Sequence, residues 1–247
     1  MTDHLAYRKK LGTLGPSTNT IVQPDFDDLR PLGVTNHYSR IIIPNSPVQN
    51  DEQFLQLVEN INAATLDAAD VLKSCEMDYL VMGMSAATFW NGRSGAEKYL
   101  KNMSERAEVN VSCGSFATEA ALNTLKVKRI AFFSPYFEVA NAQVRRFYQD
   151  CGFTVVRDIC LQRTSPVLIA HTTDEMCRKA IRELDGDDVD AIVQVGTNLS
   201  MIRLAAAAEL FLGKPVVAIN TATYWHALRA CGITDKKGGF GSLMEHH

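Results

Sequence analysis

The chain carries one pattern twice, and this limits its fold more than any other feature. The segments "KKLGTLGPSTNT" and "KRIAFFSPYFEV" match Leu11 to Ile130 and Pro16 to Pro135, an offset of 119. "LGVTNHYSRIII" and "CGFTVVRDICL" keep that offset of 119 at Gly33 and Gly152. "MDYLVMGMSAA" and "VDAIVQVGTNL" place Asp78 opposite Asp190, 112 residues apart. "AEVNVSCGSFATEAAL" and "LGKPVVAINTATYWHAL" place Val111 opposite Val217, 106 apart. The order is kept and the offset falls as loops shorten, which is the signature of a duplicated unit.

Each unit reads as strand, helix, strand, helix. Short apolar runs such as "RIAFFS", "YLVMGM", "AIVQVG" and "KPVVAIN" suit strands buried on both faces of a parallel sheet. The segment "DEQFLQLVENINAATLDAADVLKS" has Phe54, Leu57, Val58, Ile61, Ala64 and Leu66 at helical spacing behind an acidic start. "FEVANAQVRRFYQDCG" stops at Gly152, and "TTDEMCRKAIREL" opens on a threonine cap. The expected fold is α/β: two Rossmann-like halves about a pseudo-twofold axis, each a four-stranded parallel sheet flanked by helices. Residues 1–116 with 222–247 form the expected first half and 117–221 the second, the helix "TYWHALRACGI" returning to cover the first.

Composition narrows the function. At 247 residues, 46% hydrophobic, the chain has room for one large or two small domains. A net charge of −3, with basic residues only in short groups such as Arg8-Lys9-Lys10, argues against nucleic-acid binding. No apolar run is long enough for a bilayer, and "MTDHLAYRKKLG" lacks a signal-peptide core, so a cytoplasmic location without membrane association is expected. Self-association into a homo-oligomer is left open. The six cysteines form no Cys-x-x-Cys pair and no zinc spacing; mostly buried free thiols and no metal site are expected. "GTLGPS" is not a Walker sequence and no Gly-x-Gly-x-x-Gly follows a strand, which argues against a nucleotide cofactor.

In open parallel sheets ligands bind beyond the carboxyl ends of the strands. Those ends here are "GPSTN", "GMSAAT", "SCGS", "SPYFE", "GTNLS" and "INTAT". Each alone could be turn and cap chemistry. Six loops rich in Gly, Ser, Thr and Asn together point to a cleft that binds anions through backbone N–H groups and hydroxyls.

On "LGTLGPSTNT", "MSAATFWNG", "SPYFEVAN", "GTNLSM", "TYWHALRACGI" and the tail "GGFGSLME", the sequence resembles the Asp/Glu racemase superfamily almost end to end. Within it the chain is similar to the maleate cis-trans isomerase and arylmalonate decarboxylase group, with the ectoine-utilisation protein A branch nearest. The resemblance implies a cofactor-free enzyme acting on a small carboxylate between pseudo-symmetric halves. It also implies thiol chemistry: a pair of cysteines in racemases, a nucleophilic cysteine in maleate isomerases, a proton-donating cysteine in arylmalonate decarboxylases. The two cysteine positions fall on Met84 and Gly196, which are again 112 apart. A thioether has no proton to give, and glycine has no side chain, so two-thiol racemisation and thiol addition are not expected.

What the resemblance carries over is an anion-holding shell. It assigns substrate binding to Asn19 with Pro16 and Ser17, to Tyr136, and to Ser85, Ala86, Thr197 and Asn198, whose loops offer backbone N–H groups able to stabilise an enolate-like charge. Cys113, His226 and Glu138 are candidates to replace the thiols, each with a plain structural reading as a packed strand-end thiol, a helix histidine and a first-turn glutamate. Two classes of function remain: an isomerase or decarboxylase-like lyase, or a family member that binds a metabolite or partner without chemistry.

Overall fold

Eight parallel strands form two separate four-stranded sheets in the computed structural model, which describes residues 3–247. The first two residues of the expected first half lie outside the described residues. In chain order come β1 (Lys9–Pro16), α1 (Val22–Leu29), β2 (Val34–Ile41), α2 (Asp51–Lys73), β3 (Tyr79–Met82), α3 (Gly92–Ala107), β4 (Val111–Ser112) and α4 (Gly114–Thr124), the last of which crosses the expected boundary after residue 116. Then follow β5 (Arg129–Ser134), α5 (Glu138–Asp150), β6 (Thr154–Cys160), α6 (Pro166–Ile169), α7 (Asp174–Leu184), β7 (Ala191–Gln194), α8 (Ile202–Leu212) and β8 (Val216–Ala218). Helices α9 (Ile219–Ala230) and α10 (Ser242–His246) end the chain.

The strand orders are β2-β1-β3-β4 and β6-β5-β7-β8, the same topology twice. Sheet register reproduces the sequence offsets. Leu11 pairs with Tyr79 in one sheet and Ile130 with Ala191 in the other, which are 119 and 112 residues on. Gly33 and Gly152 both sit at φ 83°, a left-handed conformation that glycine alone adopts freely before β2 and β6. The last pair differs from expectation. Val111 pairs with Leu80 and Val216 with Ile192, so the structural counterpart of Val111 is Val216, one residue short of Val217. Strand β4 has only two residues, too few for the sequence to fix its register.

Central strands β3 and β7 are buried at every position, as two covered faces require. Helix α2 is capped by Asn50, whose side chain accepts from Gln53 N at 2.9 Å, while Gln53 Oε1 accepts from Gln49 N at 2.8 Å. Its buried face carries Phe54, Val58 and Ile61. Thr173 caps α7 through Met176 N, as the sequence suggested. Helix α9 begins at Ile219, so "INTAT" is its opening turn rather than a loop. It packs on α1, α4, β3 and β4. Among the described residues no helix is long and apolar enough to cross a membrane. All six cysteines are free; only Cys113 and Cys177 are fully buried and the other four are half-buried, more exposed than expected.

Candidate active site

The carboxyl ends of β1, β3, β5 and β7 converge on a cavity of about 60 Å³ between the halves. Pro16 and Asn19 come from the first loop, Met84, Ser85 and Ala86 from the second, Tyr136 from the third, and Gly196, Thr197 and Asn198 from the fourth. Every residue assigned to substrate binding or to the two cysteine positions lines this cavity except Ser17. The Ser17 hydroxyl instead bonds both Ile43 N and Ile43 O at 3.1 Å, pinning the loop that leaves the end of β2. Its counterpart at an offset of 119 is Tyr136, so the two halves have diverged at this position. The loops "SCGS" and "INTAT" do not line the cavity, correcting the six-loop expectation to four.

The polar lining is neutral. Tyr136 OH lies 2.8 Å from Ser85 Oγ, joining the two halves. Burial pushes the phenol's pKa up, opposed by that hydrogen bond, so it stays protonated. Its ring packs on Phe54, with centroids 5.3 Å apart. Asn19 Oδ1 accepts from Ile21 N and Val22 N at the start of α1, while its Nδ2 donates to Thr197 Oγ1 at 3.1 Å. Thr197 Oγ1 in turn donates to Gly83 O at 2.9 Å. Asn198 Oδ1 accepts from Thr20 N at 3.0 Å, and its Nδ2 donates to Pro166 O at 3.0 Å. The opposite wall is apolar: Phe54, Leu57, Val58 and Ile61 of α2, with Ile43 and Ile169. Among the described residues no charged side chain lines the cavity.

An anion held here must therefore be held by neutral donors, and the backbone offers them in pairs. Among the described residues, the N–H groups of Ser85, Ala86, Thr197 and Asn198 donate to no protein acceptor. These pairs are 112 residues apart, equivalent under the duplication. Their peptide planes are held from behind: Thr88 Oγ1 donates to Ser85 O at 2.8 Å and Gln194 Nε2 to Gly196 O at 2.7 Å. Because a trans peptide points its C=O and N–H in opposite directions, each bond aims the following N–H the other way.

Gly196 does more than lack a thiol. Its φ is 109°, and a Cβ built there would sit 2.4 Å from Pro135 Cδ and 2.6 Å from Pro135 Cγ. The ring of Pro135 occupies the space a side chain would need. Met84, by contrast, is a buried side chain on the cavity wall.

The three candidates to replace the thiols lie elsewhere. Cys113 is buried outside the cavity lining, 3.4 Å from Ser115 Oγ, and burial pushes its thiol up. His226 Nδ1 bonds Ser112 Oγ at 2.9 Å, with its pKa lowered by burial. Glu138 is exposed, pairs with Arg145 at 3.1 Å, and shares a cluster with Asp158 and Cys160. Arg145 also pairs with Asp158 at 2.8 Å, supplying the cationic charge that a metal would otherwise bring. Sequence reasoning missed the α2 wall, Ile43 and Ile169; an apolar helix stripe against a cavity reads the same as one against a core.

Two four-stranded parallel sheets of one strand order, closing on a shared cleft at their strand ends, define the class of fold. The family model for arylmalonate decarboxylase matches residues 49–244. The chain belongs to that family. A maleate isomerase of Pseudomonas putida is 23% identical over 248 residues, covering 95% of this chain and 96% of the relative. Among solved structures, a Nocardia farcinica maleate cis-trans isomerase with a covalently bound succinylcysteine intermediate superposes with a TM-score of 0.87 at 20% identity, covering 97% of this chain and 99% of that one. An arylmalonate decarboxylase superposes with a TM-score of 0.72 at 19% identity, over 95% and 98% of the two chains. The family model shows the family and the solved structures share the fold; none of these matches distinguishes the ectoine-utilisation branch.

Proposed function

We propose that the chain is a cofactor-independent isomerase or decarboxylase-like lyase that holds a small carboxylate between its halves and acts without either family thiol. The observation that carries the reading is the pair of unpartnered N–H sets at Ser85–Ala86 and Thr197–Asn198. A carboxylate seated on them leaves its α-carbon beside Met84 and Gly196. Fixed N–H dipoles in a site with an apolar wall stabilise the charge that builds on a retained carboxylate when a second carboxylate leaves as carbon dioxide and the electron pair of the broken C–C bond passes into the resulting enediolate. Among the lining side chains, the Tyr136 phenol is the one ionisable group, and it is kept neutral by burial. It is thereby a hydrogen-bond donor to the bound oxygen rather than a base. Aliphatic side chains of α2 face the substituent. The relatives named for maleate and arylmalonate support the carboxylate class.

A second reading is a protein that binds a carboxylate without turning it over. The observation favouring it is the absence of any charged lining residue. Calorimetry with maleate and phenylmalonate, paired with assays of isomerisation and carbon dioxide release, separates the two. Binding with turnover supports the enzyme, binding without turnover the second reading, and no binding of either acid refutes both.

A further inference from the structure

Outside the cavity lining lies a buried carboxylic acid that the proposed chemistry does not use. Asp25 on α1 is 7% exposed. Its Oδ2 accepts from Asn220 Nδ2 at 2.7 Å. The same Asn220 nitrogen, in the first turn of α9, donates to Thr197 O at 2.9 Å. The three groups come from three separate loops and elements, and nothing local in the sequence joins them.

The geometry points to Asp25 as a positioning residue for the carboxylate site: through Asn220 it fixes the Thr197–Asn198 peptide so that the Asn198 N–H faces the cavity. The inference rests on reading the cleft as a carboxylate site. The argument is one of planes and acceptors. The peptide between Thr197 and Asn198 is planar and trans, so holding Thr197 O toward Asn220 turns the Asn198 N–H the opposite way. Asn220 can hold it only with its NH₂ end inward. A half-turn of the amide would set Asn220 Oδ1 against Thr197 O, acceptor facing acceptor. Asp25 supplies the second acceptor that makes the half-turn doubly unfavourable. Among the described residues Asn220 Oδ1 has no partner, so the orientation is dictated by the two acceptors on the nitrogen side alone. Gln194 does the same for the preceding peptide through Gly196 O.

The clamp is expected to respond to pH. Burial raises the Asp25 carboxyl to about 7, with Asp28 pushing it further up while the Asn220 bond and Arg203 of α8 oppose. Asp28 is itself paired with Arg203 at 3.2 Å. Helix α9 presents the neutral Asn220 to Asp25, and β2 presents no charged group that shifts it. Ionised Asp25 is the stronger acceptor, so the clamp is tight above this range and relaxes below it.

The test uses ¹⁵N-labelled full-length protein, with backbone amide shifts followed from pH 5.5 to 8.5 and maleate as the ligand probe. In wild type the Asn198 amide shift should titrate with a midpoint near 7. In Asp25→Asn, which keeps an acceptor oxygen toward Asn220 but cannot ionise, that titration should vanish. Asp25→Leu, which removes the acceptor, should weaken maleate about ten- to a hundredfold; if it does not fold, the comparison of wild type with Asp25→Asn carries the test. Asn198 amides that are flat with pH in wild type while maleate binds would overturn the Asp25 clamp and leave the carboxylate reading standing. An Asn198 amide that titrates in a protein binding no maleate would overturn the carboxylate reading instead.

Discussion

Gly196→Ala adds one carbon, and the structure says what that carbon meets. It would lie 2.4 Å from Pro135 Cδ and 2.6 Å from Pro135 Cγ, both in a rigid ring. Relieving such overpacking costs about 1–3 kcal/mol. The φ of 109° lies in a region side chains rarely adopt, which adds about 1–3 kcal/mol. The expected loss is therefore about 2–6 kcal/mol out of the 5–15 kcal/mol typical of a domain. Gly213→Ala is the control: its φ is 63° and a Cβ there meets nothing within 4 Å, so it reports the backbone cost alone. Urea unfolding of both variants measures the difference by linear extrapolation. Gly196→Ala should lose clearly more stability than Gly213→Ala. Equal losses would refute the claim that Pro135 fills the side-chain space, and with it the reason a thiol cannot be reinstalled. The same reasoning predicts that Met84→Cys with Gly196→Cys restores no racemisation of aspartate or glutamate, since the second thiol has no room beside Pro135.

Three further outcomes follow from the site. Tyr136→Phe removes the bond to Ser85 Oγ at 2.8 Å and should weaken maleate about ten- to a hundredfold by calorimetry while the far-ultraviolet spectrum stays unchanged. Ser17→Ala should leave maleate affinity unchanged, because the hydroxyl is taken up by Ile43, and lower stability by about 1 kcal/mol in urea. For Asp25 the folded pKa of about 7 stands above the ordinary 3.8, so the native state holds a proton that the unfolded chain releases. Its contribution is therefore present at low pH and lost as pH rises from about 4 to about 7. Between pH 5 and pH 8, wild type should lose up to about 3 kcal/mol relative to Asp25→Asn, at about 1.4 kcal/mol per unit. Parallel pH dependence in the two proteins would contradict it.

Much of the fold was legible because the duplication is written into sheet register. Leu11 and Ile130 hold equivalent places in β1 and β5, and glycines at φ 83° mark equivalent turns. The misplacement of Val217 for Val216 fell where β4 is too short to anchor an alignment. The candidate cavity was legible where several strand-end loops carry small polar residues together, since any one such loop could equally be turn and cap chemistry. It was not legible at Ser17, whose hydroxyl could serve substrate or backbone equally well, and the structure assigns it to Ile43. Nor could sequence connect Asp25 to Asn220, which are 195 residues apart and outside any motif. Pro135 against Gly196 was hidden for a similar reason: a glycine in a loop does not announce what its missing side chain would strike.

The central claim is that the two equivalent N–H pairs form a carboxylate site with no thiol in it, and a crystal structure of the maleate complex tests it most directly. The account predicts carboxylate oxygens within about 2.7–3.2 Å of N–H groups in both the Ser85–Ala86 and Thr197–Asn198 loops, with Tyr136 OH donating to one of them and no covalent bond to any cysteine. Maleate bound outside this cavity, or joined to the Cys113 sulfur, would contradict it.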